Sequence, residues 1–228
     1  MHPFAAIFQT LFPSTCAACG KVLMHNERQL CLDCLSKLGN GVDEGFSDSP
    51  VERLLGGRIP LQAAMTPFRF RHGSTVQQVV HAMKFHSNSE LCLLMGRQLG
   101  LALMRNGRFD DIEMLVPVPL HWIRRVRRGY NQSELLCRGI AEVMPRPIVT
   151  DAVVRHRYTH QQSLQRGALR AANVEGAFSM RHPERLQGRH VLLIDDVLTT
   201  GATLGACADA LLTVPGIRLS IATLCFAG

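Results

Sequence analysis

One stretch limits the folds open to this chain: Val191-Leu192-Leu193-Ile194-Asp195-Asp196-Val197-Leu198-Thr199-Thr200-Gly201-Ala202-Thr203. It begins as a continuous apolar run, which reads as a strand buried on both faces, the habit of parallel sheets. Two adjacent carboxylates follow at its C-terminal end, and then a loop of small residues. Beyond the loop, Leu204, Cys207, Ala208, Leu211 and Leu212 recur at the spacing of one helix face. Strand, turn and helix in this order make the chain α/β. They also put a ligand site at the C-terminal end of a parallel strand.

The loop is suited to phosphate. Gly201 permits positive φ, and small neighbours let backbone N–H groups approach an anion. The threonine hydroxyls add donors, and the next helix offers its N-terminus. Asp195 and Asp196 repel phosphate, but they can accept hydrogen bonds from vicinal ribose hydroxyls or bind Mg²⁺. The plain alternative is a strand-to-helix turn with Asp and Thr as caps. It accounts for one carboxylate and one threonine and leaves the rest of the run unexplained. The stretch resembles the phosphoribosyl pyrophosphate (PRPP) signature of type I phosphoribosyltransferases. The resemblance implies an acidic pair on the ribose hydroxyls, with Val197, Thr199, Thr200, Gly201, Ala202 and Thr203 around the 5′-phosphate.

A second motif lies near the start. Cys16-Ala-Ala-Cys19-Gly20 is followed by Cys31-Leu-Asp-Cys34. Two C-x-x-C pairs supply the four thiolates of a tetrahedral zinc site, and Gly20 suits a knuckle turn. So short a ribbon has too little core to fold alone, which gives the metal a structural role. A pair of disulfides and a redox C-x-x-C are the alternatives. Cys92, Cys137, Cys207 and Cys225 sit singly in apolar segments and read as reduced core residues. Met1 to Phe8 lack the basic and long apolar regions of a signal peptide, and no run is long enough to span a membrane. A cytoplasmic protein without membrane insertion is the expectation.

Between these motifs the chain reads as alternating elements. Residues 41–60 are rich in Gly, Ser, Asp and Pro and are expected as a connector. It joins a zinc ribbon at 1–40 to the main domain at 61–228. A short strand is expected around Met65 to Phe70. Val76, Val79, Val80 and Met83 mark a helix capped by Ser74 or Thr75, and a buried helix runs from Ser89 to Arg105. Met114 to Pro119 is a second apolar strand, whose prolines admit a cis bond. A loop from Leu120 to Gln132 follows, carrying Arg124, Arg125, Arg127 and Arg128. Four arginines at a strand end make an anion site, although most charge runs are solvated faces. A helix is expected from Ser133 to Met144, a long exposed loop over 155–178, a strand at Gly176 to Met180, and a last strand from Ile217 to Phe226. The chain carries a net charge of +7, almost wholly as arginine, with Lys21, Lys37 and Lys84 as its lysines. Arginine forks suit polyanions, whether pyrophosphate or nucleic acid, and an arginine-rich codon usage would leave the same mark.

Taken together and in order, several pieces resemble the ComF family of competence-associated, phosphoribosyltransferase-like proteins. They are the Cys₄ knuckle, Val116-Pro117-Val118-Pro119-Leu120-His121, Arg128-Gly129-Tyr130-Asn131-Gln132, the spacing Thr159, Gln162, Arg170, Asn173 and Phe178, and Ile194-Asp195-Asp196-Val197. The family's additional cysteine pairs are missing here, so a second ribbon is not expected. The resemblance implies a type I phosphoribosyltransferase-like parallel sheet flanked by helices, and a link to DNA uptake in natural transformation. It implies Asp195 and Asp196 as the catalytic pair. Pyrophosphate with Mg²⁺ would lie along Pro119, Leu120, Arg124, Arg128, Asn131 and Gln132, and Thr159, Gln162, Arg166, Arg170 and Asn173 would form a lid. The alternatives are a non-catalytic module for single-stranded DNA or a DNA-uptake helicase, and a regulator that senses PRPP or a nucleotide.

Overall fold

A computed structural model describes residues 13–38, 46–85, 88–156 and 176–228, the side chains of Arg124 and Arg127 excepted. Strand β3 (Met114–Pro117), β6 (His190–Leu198) and β7 (Arg218–Phe226) form the centre of a parallel sheet. On the far side of β7 lie β1 (Ala64–Met65) and β2 (Phe68–Arg69), also parallel to it. The expected strand at Met65 to Phe70 is thus real but broken. Both pieces keep one register against β7, and Pro67 sits at the break, where its missing N–H removes a ladder bond. The prolines after β3 are trans, since the backbone has no cis peptide bond among the described residues.

The period-2 alternation of β6 sorts its side chains to two cores. Leu192 and Ile194 face a layer built by α3 (Thr75–Phe85), α4 (Ser89–Met104) and α6 (Gln132–Val143). Val191 and Leu193 face a second layer with α2 (Pro50–Gly56) and α7 (Ala202–Leu211). The second layer also contains the antiparallel pair β4 (Val153–Arg155) and β5 (Phe178–Met180). A sheet covered on both faces explains why its strands read as unbroken apolar runs.

The remaining helices differ from expectation in two places. The connector carries α2, started by Ser49, whose side chain accepts from the Glu52 N–H, and by Pro50 in the first turn. Val51 and Leu55 on it are buried. The arginine run is helix α5 (Trp122–Arg128) rather than a loop. His121 caps its start, accepting from the Ile123 N–H, and Gly129 ends it at φ 81°. Its seven residues include no glycine or proline to break the turn, and the charge pattern alone hid it. The N-terminal knuckle, with α1 (Leu32–Leu38), joins the first core through Leu30, Cys31, Cys34 and Leu38. Residues 157–175, between β4 and β5, lie outside the described residues, and with them Thr159, Gln162, Arg166, Arg170 and Asn173.

Candidate functional site

The acidic pair does not end β6 but lies inside it. Asp195 pairs with Thr223 of β7, and the ladder resumes at Val197 and Leu198. The Asp195 Oδ1 accepts two bonds, from the Ser133 hydroxyl at 3.0 Å and from the Asp196 N–H at 3.0 Å. The Asp196 Oδ2 lies 2.8 Å from Lys84 Nζ, both side chains being largely buried. Burial and the neighbouring Asp196 charge push the Asp195 carboxyl up to about 7, against the pull of the Asp196 N–H, Ser133 and Lys84.

Past Leu198 the chain turns at Gly201, at φ 73°. A side chain there would be strained twice over: by the left-handed backbone, and by Leu55 Cδ2 of α2 at 2.9 Å from an added Cβ. Helix α7 starts at once, and Gly201 supplies no side-chain cap; first-turn N–H groups at such a start can bond an outside acceptor. Thr199 and Thr200 are exposed, Thr203 is half-buried, and Ala202 is buried. The half-buried Val197 stands beside the acidic pair on β6.

Strand β3 is the neighbour of β6, so the segment after it opens at the same end of the sheet. Pro119 and Leu120 are half-buried there, and Arg124 lies on α5. The polar side chains that follow are committed mainly to protein groups. Asn131 Nδ2 donates to the Val118 carbonyl at 3.0 Å, and its Oδ1 caps α6 through the Ser133 N–H. Gln132 Nε2 and the Tyr130 hydroxyl both donate to the Met83 carbonyl, at 3.3 and 2.6 Å. Arg128 Nη1 donates to Gln132 Oε1 at 3.1 Å, and its guanidinium stands 6.0 Å from the Phe85 ring centroid. Arg125 pairs with Glu134 at 3.6 Å. This turn is therefore a clasp on the end of α3, where Met83 immediately precedes Lys84.

Two site residues escaped the sequence reading, Lys84 and Ser133. Lys84 had one available signal, as a rare lysine in an arginine-rich chain at the end of an amphipathic helix. Ser133 had none beyond its place after Asn131 and Gln132. Together they also decide how a cation fits. The acidic pair already holds an ammonium, a hydroxyl and an N–H, so it does not fit a resident Mg²⁺.

The cysteine cluster fits its metal. The sulfurs of Cys16, Cys19, Cys31 and Cys34 all lie within 4.8 Å of one another. Cys19 and Cys31 are 3.7 Å apart, close to the roughly 3.8 Å spacing of sulfurs on a tetrahedral ion with 2.3 Å bonds. All four are free thiols, which sets the disulfide alternative aside. Gly20, at φ 73°, turns the first pair, and the Cys31 N–H donates to Cys16 Sγ. Burial resists ionisation of the Cys16 thiol, but N–H groups of Cys19, Cys31 and Ala18 outweigh it and bring the pKa down to about 6. The four cysteines can hold a structural zinc. Cys92, Cys137, Cys207 and Cys225 are buried, and burial pushes their thiols up.

Residues 118–228 match the phosphoribosyl transferase domain. The competence protein F of Haemophilus influenzae is 31% identical over 137 residues, 58% of this chain and 60% of its own. The DNA utilization protein YhgH of Escherichia coli K12 is 30% identical over 213 residues, 92% of this chain and 89% of its own. The chain belongs to the ComF family. It brings to that family a type I phosphoribosyltransferase domain on a parallel sheet and an N-terminal cysteine cluster that fits a zinc knuckle. A glutamine PRPP amidotransferase from Bacillus subtilis aligns at 18% identity and a TM-score of 0.41, over 62% of this chain and 30% of that one, a likeness too loose to carry an argument. Among the described residues no helix of this ComF-family chain is long and apolar enough to cross a membrane.

Proposed function

We propose that this ComF-family chain binds PRPP or another 5-phosphoribosyl ligand at the C-terminal ends of β3 and β6, in the service of DNA use. The observation that carries the reading is the uncapped start of α7 behind Gly201, directly beside the Asp195–Asp196 pair. Thr199 to Thr203 and the first-turn N–H groups take the 5′-phosphate, and the two carboxylates take the ribose hydroxyls. Pro119, Leu120, Arg124 and Arg128 flank the group on C1. Asn131 and Gln132 hold that wall in shape. Mg²⁺ belongs to the ligand's pyrophosphate rather than to the acidic pair. As a phosphoribosyltransferase the chain would act by positioning C1 and stabilising the departing charge. The role in DNA utilisation and competence is carried over from the relatives' names, and DNA uptake is what the ComF resemblance implies. The zinc ribbon (1–40), connector (41–60) and main domain (61–228), and a reducing cytoplasmic setting consistent with eight free thiols, complete the proposal.

Thermal melting with and without ligand tests it. At a hundredfold excess over Kd a ligand adds about 2.7 kcal/mol, roughly 5–10 °C for a chain of this size. PRPP with Mg²⁺ should give that rise, and an Asp195→Asn, Asp196→Asn variant should not. No rise with PRPP or ribose 5-phosphate in the parent protein rejects the reading.

A second reading rests on α5, whose Trp122 and Val126 are exposed beside its arginines. This face is suited to single-stranded DNA, or to a DNA-uptake helicase carrying it. Binding of a labelled oligonucleotide that falls steeply with salt and with Trp122→Ala supports it, and a flat salt dependence opposes it.

A further inference from the structure

We propose that Lys84 is the built-in counter-ion of the ribose subsite: it orients Asp196 for the ligand and fills the place a free divalent cation would otherwise take. The inference rests on the phosphoribosyl reading above and adds a positioning residue to it.

Two adjacent carboxylates on one strand repel each other and attract divalent cations. Here the cation is supplied by the chain. Lys84 is the penultimate residue of α3, and its Nζ lies 2.8 Å from Asp196 Oδ2. The pair is well shielded, with the Lys84 side chain 20% and the Asp196 side chain 15% exposed. Its attraction is therefore less screened than that of a surface ion pair.

The bonds also give the pair a direction. Asp195 Oδ1 is taken by Ser133 and the Asp196 N–H, and Asp196 Oδ2 by Lys84. Among the described residues these bonds leave Asp195 Oδ2 and Asp196 Oδ1, one oxygen on each carboxylate. Two acceptor oxygens on neighbouring residues match two vicinal hydroxyls, which are neutral donors and need no metal. A carboxylate pair held by three fixed partners is also pre-oriented, which lowers the ordering cost of binding.

Lys84 is itself held. The carbonyl of Met83, one residue before it, would be an orphan acceptor at the end of α3. Tyr130 and Gln132 both donate to it. Phe85, one residue after, lies under the Arg128 guanidinium and against the His81 ring at 4.5 Å. The Arg128–Gln132 turn therefore acts on the ribose subsite through the backbone that carries Lys84.

The test uses the protein as purified, with Mn²⁺ and ribose 5-phosphate as separate probes. Mn²⁺ binding is read by electron paramagnetic resonance, and ribose 5-phosphate binding by calorimetry without added divalent cation. Lys84→Met keeps the side-chain stem and removes the charge. It should bind Mn²⁺ at least about tenfold tighter than the parent and ribose 5-phosphate about tenfold weaker, the scale of one charged hydrogen bond. Lys84→Arg should restore both to within about threefold, and Tyr130→Phe with Gln132→Leu should weaken the sugar phosphate without changing any charge. A folded Lys84→Met protein with unchanged affinity for both probes overturns the inference, as does submillimolar Mn²⁺ binding by the parent that Asp196→Asn abolishes. The two readings separate cleanly. A parent that ignores ribose 5-phosphate while Lys84→Met gains Mn²⁺ removes the phosphoribosyl reading and keeps the counter-ion. A parent that binds ribose 5-phosphate measurably, but no better than a folded Lys84→Met protein does, removes the counter-ion alone.

Discussion

Gly139→Ala is the change to which the frame of the site should be most sensitive. Helix α6 carries Ser133 to Asp195, and it lies directly on α4 through glycines. A Cβ at Gly139 would collide with the Leu93 carbonyl oxygen and sit 2.8 Å from Gly96 Cα and 2.9 Å from Arg97 N. Ordinary contact begins near 3.4 Å. All three obstacles are backbone, so no rotamer can yield, and the helices must part by roughly 1 Å. A gap of that size forfeits up to about half of each dispersion contact along the interface. Overpacking costs about 1–3 kcal/mol, and the rigid surroundings put this site at the upper end. Alanine returns about 1 kcal/mol over glycine in a helix interior. The net loss is about 2 kcal/mol, or about 4–8 °C in Tm at this chain length. Differential scanning calorimetry reads it, with Gly56→Ala as control, since nothing lies within 4 Å of a Cβ there. The control should melt at or slightly above the parent. A Gly139→Ala protein that melts within about 1 °C of the parent refutes the close-packed interface.

Three further outcomes follow from the same structure. Thr66 and Thr223 share a buried hydroxyl contact of 2.7 Å. Thr223→Val alone should cost about 1–3 kcal/mol by stranding its partner, whereas the double valine variant should recover most of it in a double-mutant cycle. Asp195 has a folded pKa of about 7 against an ordinary 3.8, so the folded state binds its proton more tightly. Stability from this group is present below about pH 4 and is lost as pH rises towards 7, at about 1.4 kcal/mol for each pH step of one. Asp195→Asn should therefore raise Tm more at pH 8 than at pH 4.5. Elemental analysis should find one zinc per chain. Cys34→Ser should lose it and lower Tm, because Cys34 and its neighbours belong to the first core.

The parts of this molecule that were legible in the sequence are those whose signal is local. The β6 run, the helical faces of α3, α4 and α7, and the C-x-x-C pairs each announce themselves within a dozen residues. Helix α2 was hidden because Ser49-Pro50 reads equally as a turn or as a helix start, and burial of Val51 and Leu55 decides it only in three dimensions. Helix α5 was hidden because four arginines read as a loop when charge is weighed above helix propensity. The Lys84–Asp196 contact spans 112 positions, and no spacing rule reaches that far. Asn131 and Gln132 carry bonds that no local pattern announces: their side chains donate to the Val118 and Met83 carbonyls, across 13 and 49 positions.

If the end of β6 and the start of α7 hold a phosphoribosyl group, the backbone there must respond to the sugar phosphate alone. Titration of ribose 5-phosphate into ¹⁵N-labelled protein, followed by amide chemical shifts, reads that response residue by residue. Saturable shifts should concentrate at Thr199 to Thr203 and at Asp195 and Asp196, and should vanish in the Asp195→Asn, Asp196→Asn variant. Shifts confined to α5, or none at these residues at millimolar ligand, would contradict the phosphoribosyl site.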